Sequence, residues 1–238
     1  LNTDNINITA ESFDYGPWRF VSRWDDGFIA AYFDQFGLYS FGRQAEALQW
    51  NVHQLAMALR TVAPAESLIP ALKTYPERYE AALAERYVWR LGVKPRDAKS
   101  DEALALTIET ALATTDIAPD RFWFDWRGGK RRAANAVYDT DAFAPFRTAV
   151  SAYEPAADTT HPYWSDAEPC TKLIDEVEAI WAPIDEADDW SVFNTKIAAI
   201  RAQGVLLGSA GPSRIRAVTH LDVDRDAVLR AAKVIAAA

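Results

Sequence analysis

Hydrophobic residues recur at helical spacing along most of the chain after Gly42. One apolar stripe has the spacing i, i+4, i+7 and i+11, which predicts a helix that ends before Pro64. Its members are Leu48, Val52, Leu55 and Leu59. A second stripe predicts a helix that begins near Pro76, a residue suited to a first helical turn, and ends at Gly92. Its members are Tyr79, Leu83, Tyr87 and Leu91.

Cap residues and further apolar stripes predict the remaining helices. Ser100 is a suitable N-cap for a helix over the stripe that follows it, and Asp189 and Asp224 are suitable caps for two later helices. Four further helices are predicted, over 142–153, 170–182, 190–202 and 225–237. We expect segment 154–168, with its prolines and acidic residues, to be a packed connection, and residues 17–42 to form ordered loops.

The first 16 residues follow a period of two instead. Ile6 and Ile8 alternate with polar neighbours, which is typical of a half-buried strand. A tight turn at Thr9-Ala10 would lead into a second short strand over 11–14. The predicted fold is therefore mainly α, a single domain over residues 1–238 with a short β-hairpin near its start.

Composition and charge exclude several classes of protein. The 238 residues are 50% hydrophobic and 25% charged, values typical of a globular protein. The net charge of −9 lacks the positive field that phosphate backbones require, so we expect no nucleic-acid partner. No apolar run is long enough to span a bilayer, and no signal peptide opens the chain. With Cys170 as the single cysteine, no intrachain disulfide can form, and we expect a cytoplasmic protein without membrane contact.

The predicted hairpin places two oxygen-bearing side chains together. Asn5 and Asp14 are equidistant from the turn, so they would face each other with Cβ atoms about 4.5–5.5 Å apart. Amide and carboxylate oxygens are ligands that Mg²⁺ accepts, with waters and substrate phosphates completing its shell. Asp4 would lie at the mouth of this site, where a carboxylate can accept a proton. From spacing alone, turn and cap roles explain the three residues better than a metal site does, because Asn and Asp are the usual turn formers.

Several short motifs follow one another in order within the first 60 residues. They are Asn2-Thr3-Asp4-Asn5, Phe13-Asp14-Tyr15-Gly16-Pro17, Asp26-Gly27-Phe28, Tyr39-Ser40-Phe41-Gly42-Arg43-Gln44 and Trp50-Asn51. In this order they resemble the selenoprotein-O (SelO) family. The resemblance implies a protein-kinase-like C-terminal lobe and the transfer of AMP from ATP to protein hydroxyl groups. It becomes looser towards residue 92, and we expect 93–238 to be a divergent helical region.

The resemblance also implies roles for individual residues. Asp14 in Asp14-Tyr15-Gly16 matches the kinase Asp-Phe-Gly aspartate, which holds the metal against the nucleotide phosphates. Asn5 matches the catalytic-loop asparagine, the second metal ligand, and Asp4 matches the aspartate that serves the family as base. The implied cofactors are ATP and Mg²⁺ or Mn²⁺, and the implied substrates are proteins.

Two features of kinase-like enzymes are missing from this sequence. It contains no glycine-rich phosphate loop and no Val-Ala-Ile-Lys strand before the motif at Asn2-Thr3-Asp4-Asn5. It also begins with leucine, not methionine. We therefore expect a fragment whose partner is the N-terminal lobe of the same polypeptide, and which is inactive alone. The family's C-terminal redox pair has no counterpart either, because Cys170 is alone.

Two other functions remain open. The region 93–238 is alternatively a protein-interaction or regulatory module, and the chain is alternatively part of a conventional kinase that transfers the γ-phosphoryl group. Three weaker motifs are better explained structurally. They are the scattered histidines His53, His161 and His220, the basic run Gly128–Arg132, and the glycine-containing loop Gly208–Ser213.

Overall fold

The computed structural model describes residues 20–30, 33–202, 208–211 and 214–216. This described part is mainly helical, as the periodicity predicts. Its α-helices are α1 (Gln44–Leu59), α2 (Ala65–Lys73), α3 (Tyr75–Leu91), α4 (Ala98–Ala113), α5 (Pro119–Asp125), α6 (Ala144–Val150), α7 (Ile174–Ala187) and α8 (Ser191–Ala202). None of the helices in these ranges is long and apolar enough to cross a membrane.

Two short strands follow the helices. β1 (Gly208–Gly211) pairs antiparallel with β2 (Arg214–Arg216), with Gly208 opposite Arg216. The sequence interpretation of 208–213 as a loop is thus wrong for Gly208–Gly211. The predicted N-terminal hairpin and the predicted helix over 225–237 with its cap Asp224 lie outside the described residues. The kinase-like fold stays a prediction.

The chain divides into two compact units. Their described parts are residues 20–30 and 33–169 in the first, and residues 170–202, 208–211 and 214–216 in the second. The first unit contains α1 to α6, and the second contains α7, α8 and the strand pair. The prediction of one domain over 1–238 stays a prediction.

The hydrophobic core of the first unit lies among α3, α4, α5 and α6. Aromatic rings fill much of it, with Phe122 against Phe146 at 5.1 Å and Tyr138 against Phe143 at 5.1 Å, both edge to face. Edge-to-face pairs add to the stabilisation that burial itself supplies. Its largest fully buried hydrophobic side chains are Leu91, Leu104, Ile108, Leu112, Phe122, Tyr138, Phe143 and Phe146.

A buried carboxylate joins this core. The side chain of Asp125 is completely buried and accepts hydrogen bonds from Arg121 Nε at 2.8 Å and from the Tyr138 hydroxyl at 2.8 Å. Burial raises the pKa of Tyr138 well above its ordinary value, and the hydrogen bond to Asp125 and the charge of that carboxylate raise it further. A buried charge persists only when it is paired and hydrogen-bonded, so this network fixes α5 against Ala136–Asp139.

The helix ends show where the sequence pattern succeeds. Pro76 lies in the first turn of α3, and Gly92 ends the helix in the left-handed region at φ 74°. The prediction that Ser100 caps α4 is wrong, because Asp97 is the cap and accepts the Ser100 N–H at 3.0 Å. Both residues are good cap formers, and the earlier one along the chain fills the position.

Other helix bounds differ from the prediction in understandable ways. α6 ends at Val150, short of the predicted 153. α7 continues through Pro183 to Ala187, although proline disfavours helix interiors, and ends at Asp188 with φ 52°. Asp189 accepts the Ser191 N–H at 2.9 Å but lies one residue before the cap position that it was predicted to fill, because the Trp190 carbonyl accepts the Asn194 N–H at 2.9 Å.

Candidate functional site

The three residues predicted to carry the chemistry are Asp4, Asn5 and Asp14. All lie outside the described residues, which begin at Phe20. Their predicted pairing across a hairpin, and the metal site built on it, stay predictions. What the structure describes is the segment that follows them along the chain, from Phe20 to α1.

Trp24 ties this segment to the helical core. Its indole ring is partly buried against the core and meets Phe41 edge to face, with centroids 5.1 Å apart. Its Nε1–H donates to Asp26 Oδ1 at 2.9 Å. The backbone N–H of Gly27 donates to Asp25 Oδ1 at 3.0 Å, which closes a local turn. The loop is therefore anchored by one aromatic side chain and two aspartates.

Two of the motifs from the sequence lie against each other here. The N–H of Phe41 donates to the carbonyl of Phe28 at 2.9 Å, and that of Gly42 donates to the carbonyl of Asp26 at 2.9 Å. A Cβ placed on Gly42 would lie 2.7 Å from the Cβ of Asp26, closer than any normal contact. Glycine at position 42 is thus required by the close approach of the motif containing Asp26.

Asp34 organises the turn between these two motifs, and sequence reasoning missed it. The carboxylate is 8% exposed and accepts the N–H groups of Leu38 at 2.9 Å and Tyr39 at 2.7 Å. Gly37 adopts φ 66° and donates its N–H to the Asp34 carbonyl at 3.2 Å. Aspartate followed three residues later by glycine is a turn signal that would have found this position.

The end of the segment is fixed by charge and by burial. Arg43 forms two hydrogen bonds with Glu46, at 3.0 and 3.2 Å, which raise the pKa of Arg43 and lower the pKa of Glu46. In the Trp50-Asn51 motif, Asn51 is buried and donates Nδ2–H to the Ala47 carbonyl at 2.7 Å, whereas Trp50 is 56% exposed. The motif therefore contributes one inward and one outward side chain.

An open depression of about 300 Å³ adjoins the segment. Its lining combines Arg23, Trp24 and Asp25 with the end of α4 and the residues after it, 113–116. One cation and two carboxylates, Arg23 with Asp25 and Asp116, face it. This mixed charge favours no particular ligand.

The weaker sequence candidates have local structural partners. In the basic run, Arg131 pairs with Asp139 at 2.6 Å, and the guanidinium of Arg132 lies over the rings of Phe124 and Trp164. His53 Nδ1 lies 2.7 Å from the Gln49 carbonyl. No cluster of three or more histidine, cysteine, aspartate or glutamate side chains suited to a metal occurs among the described residues.

His161 accepts the Tyr163 N–H at the start of a short 3-10 helix, Pro162–Ser165, and His220 lies outside the described residues. The predicted packing of segment 154–168 holds only in part, because most of its residues are exposed and the contacts involve its start and the rings of Tyr163 and Trp164. Lys94 N–H donates to the Glu154 carbonyl at 2.8 Å, and the Ala156 and Ala157 N–H groups both donate to the Gly92 carbonyl at 2.9 Å.

A family model described as "Protein adenylyltransferase SelO" matches residues 1–201. The chain belongs to the SelO family. The match confirms the resemblance carried by the motifs, and it continues well past residue 92, where those motifs fade. It includes the positions of Asp4, Asn5 and Asp14 as well as the segment anchored by Trp24 and Asp34.

Curated relatives agree with this assignment. The chain is 33% identical over 218 residues to a protein nucleotidyltransferase YdiU from Gloeobacter violaceus, covering 84% of this chain and 45% of the relative. It is 31% identical over 222 residues to a YdiU protein from Synechocystis sp., covering 85% and 46%. A YdiU protein from Trichodesmium erythraeum is 39% identical over 128 residues. The chain thus spans just under half the length of the first two relatives.

Proposed function

We propose that this chain is the C-terminal part of an enzyme that transfers AMP from ATP to hydroxyl groups of protein serine, threonine or tyrosine side chains. The observation that carries the proposal is the SelO family match over residues 1–201. The relatives named as protein nucleotidyltransferases support the same reaction class. The ordered motifs that surround Asp4, Asn5 and Asp14 support the placement of the chemistry near the start of the chain.

In the proposed reaction, the oxygen of a protein hydroxyl attacks the α-phosphorus of ATP. A new O–P bond forms, the bond from the α-phosphorus to the bridging α–β oxygen breaks, and pyrophosphate leaves with that electron pair. Asp4 takes the hydroxyl proton, which makes the attacking oxygen more nucleophilic as the new bond forms. Phosphoryl-type transfer depends mainly on positioning and on neutralising phosphate charge.

Asp14 and Asn5 would hold the divalent cation. Their carboxylate and amide oxygens are a donor set that fits Mg²⁺ or Mn²⁺, which prefer oxygen ligands. When bound, such a cation neutralises charge on the nucleotide phosphates. Asp14 thereby fixes where the triphosphate lies relative to Asp4.

The described segment follows Asp14 in the sequence, and its own contacts support the proposal. Ten residues after Asp14, Trp24 holds the chain against the helical core, and Asp26 and Gly42 close the loop behind it. A loop anchored in this way costs little further ordering when substrate binds. We propose that the anchored segment, which follows Asp14 in the sequence, keeps its conformation during the reaction.

The proposal also holds that the 238-residue chain alone is inactive. The ATP-clamping lysine and the phosphate loop of kinase-like enzymes have no counterpart in this sequence. Such groups supply a large part of the charge neutralisation that transfer requires.

The test uses the full-length protein with ATP labelled on the α-phosphate and a generic protein acceptor. Asp14→Ala should abolish labelling, and Asp4→Ala should lower turnover by about 10²–10⁴-fold while sparing nucleotide affinity. Asp185→Ala, on the exposed side of α7, is the matched control and should label normally. Full labelling by the Asp14→Ala protein would refute the assignment.

A further inference from the structure

Helix α1 has the composition of a core helix. Among its 16 residues Glu46 is the one with a charged side chain, whereas the 17 residues of α3 include six. At 100° per residue, the Trp50 and Met57 side chains lie on the side of α1 opposite Leu55 and Leu59. The helix therefore carries large apolar side chains on two opposite sides, although Glu46, His53 and Gln54 share the side of Trp50 and Met57.

The burial of α1 does not match this composition. Asn51 is its one buried residue, and Trp50 and Met57 are 56% and 58% exposed. On the opposite side, Leu55 and Leu59 are 40% and 39% exposed. Trp50 and Met57 lie two turns apart on one side of α1, with His53 and Gln54 between them. Large apolar side chains this exposed, on a helix with a single Asp, Glu, Lys or Arg residue, favour contact with another protein surface.

The side of α1 that carries Trp50 and Met57 is called the Trp50–Met57 side below. We propose that it docks against the part of the SelO polypeptide that this chain does not span. The alignments with the relatives from Gloeobacter violaceus and Synechocystis sp. leave just over half of each relative's length unmatched. A segment of that length is long enough to cover one side of a helix. A second copy is a poorer occupant, because each copy carries a net charge of −9 and the copies repel. The inference rests on family membership and is independent of which group the enzyme transfers.

The test compares two positions whose side chains are similarly exposed in this chain. Met57 on α1 is 58% exposed and Leu106 on α4 is 64% exposed, so a charge at either position would be solvated in this chain taken by itself. In the full-length protein, Met57→Glu should lower the denaturation midpoint by about 5–10 °C, because the new carboxylate loses water when it is covered. Leu106→Glu should change it by less than about 2 °C.

Cysteine labelling provides a second measurement that does not require a destabilised variant to fold. Met57→Cys and Leu106→Cys are made in the full-length protein, and maleimide labelling at each position is followed by peptide mass spectrometry. We expect labelling at position 57 to be at least about tenfold slower, because it requires local opening. Equal rates at the two positions would overturn the proposal. Protection that disappears on dilution would assign the surface to a second copy and would also overturn it.

Discussion

Gly42→Ala tests whether the two motifs of the candidate segment must lie in contact. The added Cβ would lie 2.7 Å from Asp26 Cβ and 3.1 Å from Asp26 Cα, so the backbone has to move apart. The hydrogen bond from Gly42 N–H to the Asp26 carbonyl, now 2.9 Å, would lengthen with it. Overpacking of this kind costs about 1–3 kcal/mol, and the reduced freedom of the unfolded chain returns about 0.4–1 kcal/mol.

The expected net loss is therefore at most about 2.6 kcal/mol of the free energy of unfolding, or a midpoint lower by up to about 10 °C. Gly27→Ala is the matched control in the same segment, because its Cβ would meet only the flexible Oδ1 of Asp25, at 3.3 Å. Thermal denaturation followed by circular dichroism measures both variants. In the full-length protein, Gly42→Ala should also lower AMP transfer more than Gly27→Ala does. Equal behaviour of the two variants would refute the close-approach argument.

Three further predictions concern the described residues. Asp125→Ala should cost about 3–5 kcal/mol by breaking a buried pair, and Tyr138→Phe about 1–3 kcal/mol, with non-additive costs in the double variant by chemical denaturation. Asp34→Ala should speed amide hydrogen exchange at the Leu38 and Tyr39 N–H groups, since both lose their acceptor. Unchanged exchange at these two groups would show that the turn does not depend on Asp34. Hydrogen bonds from Ser100 lower the pKa of Asp97, so the stabilisation of α4 by this cap is complete above the ordinary aspartate pKa and is lost as the pH falls through the lowered value. Asp97→Ala should therefore lower the denaturation midpoint at pH 7, and its effect should shrink as the pH falls below the ordinary aspartate pKa.

Helix positions could be predicted where the chain has explicit stop and start signals. Pro76 and Gly92 bracket α3 because one fits a first turn and the other adopts a left-handed conformation without strain. Helix α2 was missed because Pro70 lies inside it, and the propensity of proline argues against a helix there. Helix α5 was hidden in an aromatic run, although Pro119 at its first position is a start signal.

Burial was harder to predict than helix position. The stripe of α1 reads as a core face from its spacing, yet Leu55 and Leu59 remain substantially exposed. Among the described tryptophans, Trp123 and Trp126 are buried, whereas Trp181 is 57% exposed. Periodicity identifies an apolar face without identifying what covers it, because the covering element is distant in sequence.

For the candidate site, local patterns and family motifs contribute differently. The spacing of Asp4, Asn5 and Asp14 is compatible with both turn residues and metal ligands. The ordered motifs favour metal ligands only because they identify the family, whose members use these positions in that way by resemblance. Asp34 was missed because its function comes from two backbone N–H groups that approach it only in the folded turn. A carboxylate that organises a loop has no signature beyond the turn signal itself.

The most direct test of the central claim is to follow which phosphate of ATP reaches the protein acceptor. The full-length protein is incubated in parallel with ATP labelled at the α- or the γ-phosphate, and the acceptor is weighed by mass spectrometry. AMP transfer predicts label from the α-position only and a mass increase equal to one adenylyl group. Label from the γ-position with the mass of one phosphoryl group would contradict the account and would assign the chain to a conventional kinase.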